Sequence, residues 1–308
     1  MLTRPEAPFA FAFPGAGTAP SAAEQAWVER FATRMRPPLE AASEVAGANL
    51  PAAVDPDRFQ ALDPLARQCF TFAFGLGVAD VVTDAAGPPV AVAGHSLGVY
   101  AAAVASGALA PGDGLALVVA AYRLAHDACR GRSPAMLAVA GPADVEEVVR
   151  QAGGSSLRVV IRNGAFSAVV AGTSCDVARV EAALEDEPGI RVGWLDREVA
   201  YHHPGFLAGA ADALGRVASG LRWADPRVPV VSSIDGVPCG TAAEVAAFVV
   251  ANLAHPIDWR RAVATLSNLG AGGLWECGPG DTLARIGRGC QPELDVRTVR
   301  RWARREAK

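Results

Sequence analysis

Lysine is almost missing from this 308-residue chain: Lys308 is the only one, so nearly all of its positive charge is guanidinium. The arginine fork suits carboxylate and phosphate partners better than the point charge of an ammonium does. Basic residues are also outnumbered, and a formal net charge of −4 argues against a general nucleic-acid binder. Aromatics make up 6% against 51% hydrophobic residues, so the core must be built mainly from Ala, Val and Leu. The six cysteines (Cys69, Cys129, Cys175, Cys239, Cys277, Cys290) form no C-x-x-C pair and no metal-ligand spacing. They read as reduced, mostly buried residues, and no metal is expected. No apolar segment reads as the roughly 20-residue span that crosses a bilayer, and Phe9–Phe13 is too brief for a signal peptide. These absences predict a cytoplasmic protein that engages neither membrane nor nucleic acid, and a monomer.

What is present is organised around Val90–Tyr100. The apolar run Val90–Ala93 meets Gly94-His95-Ser96-Leu97-Gly98, and an alanine-rich helical segment follows. That is G-x-S-x-G in its meaningful context of strand, sharp turn and helix. Flanking glycines let the backbone crowd close, pushing the Ser96 hydroxyl out at the positive end of the next helix. Ser96 is therefore the candidate nucleophile. Earlier, the strand Phe9–Phe13 stops at Pro14-Gly15-Ala16-Gly17, a turn that leaves backbone N–H groups at the carboxyl edge of a sheet. The N–H groups of Leu97 and Ala16 are the candidate oxyanion donors. Ala22–Met35 reads as a helix and Pro37–Asp63 as irregular, proline-rich chain with short helical pieces, and Asp63-Pro64 opens a helix that carries Gln68 among apolar neighbours.

Composition shifts at Arg130–Pro134. From Met136 to Leu195 the pattern is strand, helix, strand, strand, helix, strand, the order of a ferredoxin-like unit. Beyond Leu195 the chain resumes the α/β style. The fold class is thus α/β: a large α/β-hydrolase-like part with a parallel sheet, residues 1–132 and 200–308, carrying an inserted ferredoxin-like subdomain, residues 133–199.

A serine nucleophile needs a base, and there are five histidines. His95, inside the elbow, points away from the hydroxyl as its neighbour, and His126 lies on a helix. His202-His203 stands where the inserted unit hands back to the main one, and His255 precedes a proline. Two arrangements stay open: a hydrolase triad of Ser96, Asp235 and His255, or a dyad with a backbone carbonyl orienting the imidazole.

Together these residues resemble the malonyl-CoA:acyl-carrier-protein transacylase family, including the acyltransferases of polyketide synthesis. Phe13-Pro14-Gly15-Ala16-Gly17 matches its opening F-P-G-Q-G with alanine for glutamine, and Gly94–Gly98 matches its G-H-S-x-G. Pro256-Ile257-Asp258-Trp259 and Glu276-Cys277-Gly278-Pro279-Gly280 fit two later motifs, so the match spans nearly the whole chain. The resemblance implies a base in the pattern H-x-x-L-M, which His203–Leu207 fits better than the frame begun at His202. It further implies His203 as base, with the carbonyl of Asp258 orienting it. Gln68, Ala121, His202 and Tyr201 would line the substrate pocket.

Relatives that handle malonyl groups carry an arginine on the helix after Pro111, gripping the free carboxylate. Counting from Ser96, that position is Ala121, with Arg123 about 200° around the helix. A buried carboxylate without a partner costs several kcal/mol, so the resemblance implies a non-carboxylated acyl group, simple, aminoacyl or otherwise processed. A slip in the count would put Arg123 or Arg130 in the pocket and restore malonyl. The implied reaction is ping-pong transfer from a thioester to an acyl carrier protein through acyl-Ser96. No cofactor is bound, since the substrates ride on phosphopantetheine of a carrier protein or CoA. The carrier would dock on the basic tail Arg297, Arg300, Arg301, Arg304, Arg305 and Lys308. A thioesterase on the same fold, or an idle carrier-binding partner, are the alternative outcomes.

Overall fold

Five consecutive apolar residues, Phe9–Phe13, are all buried and form β1. A strand with no polar face belongs in the middle of a parallel sheet covered on both sides. The computed structural model describes residues 7–290 and 294–306; Lys308, and the side chain of Arg305, lie outside the described residues. After β1 come β2 (Val92–Gly94), β3 (Pro134–Ala140), β4 (Arg158–Gly164), β5 (Ser167–Thr173) and β6 (Arg191–Asp196). The remaining strands are β7 (Val230–Val231), β8 (Pro238–Cys239), β9 (Ile257–Asp258), β10 (Gly273–Glu276) and β11 (Asp295–Arg297).

The larger sheet runs β11-β10-β1-β2-β7-β8 and is parallel except at β8. Phe9, Phe11 and Phe13 face one layer of helices, while Ala10 and Ala12 face Trp259, Val263 and Leu266 on the other. The register sets Phe13 beside Gly94, so the turn after β1 and the turn after β2 emerge side by side at one sheet edge. The smaller sheet runs β6-β3-β5-β4-β9. Its helices, Val145–Ala152 and Ser174–Leu184, cover one face through Leu137, Val139, Val170 and Val180. Its other face supplies Met136, Val169 and Ala171 to the main core. The α/β fold with a parallel sheet and a ferredoxin-like unit is therefore the observed one. A fifth strand, β9, joins that unit from the far end of the chain, parallel to β4.

Two expectations need correction. The helix Ala32–Ala46 continues through Pro37-Pro38, where the sequence predicts irregular chain. Its Met35, Leu39 and Ala42 are buried, and Met35 seats over Gly77 of the helix Pro64–Ala86 so closely that an added Cβ would lie 2.8 Å from Sδ. Tertiary burial outweighs the local cost of the prolines. Second, Pro64–Ala86 is itself long and apolar enough to cross a bilayer. Here Phe70, Phe74, Val78 and Val82 bury it in the core, the usual place for a helix apolar on all sides.

Candidate active site

The elbow is forced by its glycines. A Cβ at Gly94 would lie 2.2 Å from the Val99 nitrogen, and one at Gly98 would lie 2.1 Å from the Phe13 oxygen. Neither gap admits another residue. Between them Ser96 takes a left-handed conformation, φ 53°, rare for a residue with a side chain. The helix Gly98–Ala105 starts directly behind it. Across the gap, Gly15 packs so near that a Cβ there would meet the Ser96 Cβ at 3.5 Å. The β1 turn bearing Ala16 therefore borders the serine.

Ser96 Oγ lies 2.8 Å from Nε2 of His202. His202 Nδ1 is 2.7 Å from the backbone oxygen of Asn252, which can only accept. Nδ1 thus carries the proton and Nε2 offers its lone pair to the serine O–H. His202 is 1% exposed; burial pushes its pKa down to about 4, against a smaller upward pull from the Asn252 carbonyl. The imidazole is neutral at physiological pH. Asn252 also holds the other partner, its Nδ2 donating to the Ser96 carbonyl at 3.2 Å. It caps the C-terminus of the helix Ala242–Ala251, so the dyad lies between the positive end of one helix and the negative end of another.

This corrects the choice of base. His203 turns away: its Nε2 donates to the Ser156 oxygen at 2.6 Å and its ring stands edge-on to Phe206. A residue preceding proline is confined to extended backbone, and His203 has φ −102° and ψ 110° as it opens the helix Pro204–Ser219. His202 is free of that restriction and takes φ 64°, which swings its ring to the opposite side. The orienting carbonyl is likewise not that of Asp258. The ring nitrogens are met elsewhere, His202 Nδ1 by the Asn252 oxygen and His203 Nε2 by the Ser156 oxygen, while the Asp258 carboxylate pairs with Arg260 at 2.6 Å and Arg261 at 3.7 Å. Asn252 escapes sequence reasoning because a peptide oxygen has no signature in residue type. The triad alternative is not assembled: His255 Nδ1 bonds the Ala251 oxygen at 3.0 Å, and Asp235 accepts from the Val237 N–H at 3.1 Å.

His95 is a scaffold residue, its Nε2 2.8 Å from Asn163 Oδ1 and its ring edge-on to Trp259. Gln68 reaches the Tyr201 hydroxyl at 3.5 Å, so these two predicted pocket residues are together. Ala121 is buried, Arg123 is exposed, and Arg130 pairs with Asp127 on the surface. Next to Ala121, burial raises the Tyr122 phenol pKa, and the carboxylates of Glu198, Asp63 and Asp196 raise it further. The basic tail is partly consumed: Arg300 pairs with buried Glu24 at 2.9 Å, while Arg297 and Arg301 share Asp295. Among the described residues no group of three or more His, Cys, Asp or Glu could hold a metal ion.

Residues 67–288 match the acyl transferase domain family. The chain belongs to it. It is 28% identical over 224 residues to the malonyl CoA-acyl carrier protein transacylase of Synechocystis sp., covering 72% of this chain and 73% of that one. Its fold superposes on the crystal structure of the malonyl-CoA:acyl carrier protein transacylase of Xanthomonas oryzae pv. oryzae with a TM-score of 0.85 at 30% identity, over 96% and 95% of the two chains. It is similar as well, at 25% identity and a TM-score of 0.84 over 94% and 95%, to a malonyl-transacylase solved in complex with its type II PKS acyl-carrier protein. The protein is thus an acyltransferase of the transacylase and polyketide-synthase type.

Proposed function

We propose that Ser96 carries an acyl group from a thioester donor to the phosphopantetheine thiol of an acyl carrier protein. The observation that carries this reading is the 2.8 Å contact between Ser96 Oγ and a His202 whose other nitrogen is fixed on the Asn252 oxygen. As Oγ attacks the thioester carbon, its proton passes to Nε2, and the charge on the imidazole is eased by the negative end of the helix Ala242–Ala251. The Leu97 and Ala16 N–H groups hold the tetrahedral oxyanion. The C–S bond then breaks, Nε2 returns the proton to the leaving thiolate, and a second thiol repeats the sequence in reverse.

The acyl group in this reading carries no carboxylate. Ala121 offers no cation, and Arg123 and Arg130 are at the surface, so a malonyl carboxylate would find no guanidinium there. The carrier would meet the exposed Arg304 of the tail, since Arg300 is held inside. The test is intact-mass measurement of acyl-Ser96 across a panel of acyl thioesters, with malonyl expected among the poorest donors. Ala121→Arg should improve malonyl loading; no response would remove the support for a carboxylate-free cargo. A holo carrier protein added afterwards should take the acyl group, whereas free acid released regardless of carrier would mark a hydrolase.

A further inference from the structure

His203 is a buried histidine, 4% exposed, that acyl transfer leaves unused. It lines a second cavity of about 330 Å³ together with Arg132, Ser156, Arg158, Thr173 and Gly205. This cavity is not the Ser96 cleft. Arg158 begins β4 and Asn163, which holds His95, is near its end, a separation of roughly 16 Å along the strand.

Among the described residues neither guanidinium has a carboxylate partner. Arg132 lies 4.3 Å over the Phe206 ring and donates from Nη2 to the Gly205 oxygen at 2.8 Å and from Nη1 to the Phe206 oxygen at 3.1 Å. Arg158 spends Nη1 on the oxygens of Leu157 and Ser155, leaving its Nε and Nη2 hydrogens uncommitted. Asp176 accepts from the Ser156 hydroxyl at 2.5 Å and faces Arg179 at 3.3 Å, so its charge is already answered. His203 gives its only N–H to the Ser156 oxygen, and its Nδ1 is buried without a partner. Burial, then the charges of Arg158 and Arg132, hold its pKa below the usual histidine value. The first turn of the helix Pro204–Ser219 closes the cavity, with Gly205 in place because a Cβ would sit 3.0 Å from His203 Cε1.

We propose that this cavity is a second binding site, for a phosphate-type anion, at the joint between the two subdomains. Two guanidiniums arriving from different elements supply donors from two directions. That arrangement fits the oxygens of a tetrahedral phosphate better than a planar carboxylate, which a single fork satisfies. Arg132 belongs to the linker after the helix Pro111–Cys129 and Arg158 to the small sheet. A shared anion therefore ties the small subdomain to the helix that starts two residues after His202.

Calorimetric titration of the whole protein with inorganic phosphate and with adenosine 3′,5′-bisphosphate, at constant ionic strength against chloride, tests this. Saturable one-site binding is expected. Tighter binding of the bisphosphate identifies a nucleotide-borne phosphate, and equal binding identifies free phosphate. Arg158→Gln should weaken binding by about tenfold or more while leaving the fold intact, and the His203 ring resonance should move on titration. The proposal fails if phosphate gives no more heat than chloride, or if Arg158→Gln binds as tightly as the parent. It also fails if Ser96→Ala abolishes binding, which would put the anion in the acyl cleft.

Discussion

Two histidines that are neighbours in the chain serve two different regions of the molecule. On one side of the Tyr201–His203 turn, His202 faces a serine pinned by glycines at the edge of a parallel sheet. On the other, His203 faces a carbonyl of the antiparallel unit and two arginines. Both rings are buried and both have depressed pKa values. What separates base from strut is therefore neither residue type nor burial but the sign of one backbone angle.

The largest way to break the comparison is to exchange the histidines' fortunes. His202→Gln should lower acyl-Ser96 formation by on the order of 10³-fold or more. His203→Gln should mainly lower the unfolding midpoint, because it loses the Ser156 bond, while single-turnover acylation falls far less. Equal losses of acylation in both variants would end the distinction. Next in size are the glycines: Gly94→Ala or Gly98→Ala should destabilise by about 3 kcal/mol or more, or abolish soluble yield, since backbone atoms occupy the Cβ position. Denaturant melts would register it.

A comparable effect is expected from pH. His202 titrates near 4 when folded and near 6.5 when unfolded, so between those values the unfolded chain binds the extra proton. Stability should fall as pH drops from about 6.5 to about 4, by up to about 3 kcal/mol, and show no further contribution from this group below that. His202→Gln should flatten that slope in chemical denaturation, and the acid limb of acylation in the parent should inflect near 4 rather than 6.5. The smallest effect is Asn252→Ala, expected to slow acylation by about tenfold: it releases the Ser96 carbonyl but keeps the backbone oxygen that holds His202.

Much of this is legible in the sequence, because it rests on features that residue types impose. Apolar runs and glycine turns locate β1, the elbow and the order of the inserted unit, and the cluster Gln68–Tyr201 follows from the family resemblance. The pieces that are not legible share a cause. Choosing His202 over His203 needs a φ value, although Pro204 carries the hint, since it confines the residue before it. Replacing Asp258 by Asn252 needs the position of a peptide oxygen. The helix through Pro37-Pro38 needs knowledge of what packs on Met35.

The group that steers the imidazole is an amide of the main chain, and this has a genetic consequence. No point substitution at position 252 deletes it, so the steering survives changes that would disable a carboxylate in the same post. Only a shift of the loop itself, such as an insertion or deletion around Ala251–Leu253, can take it away.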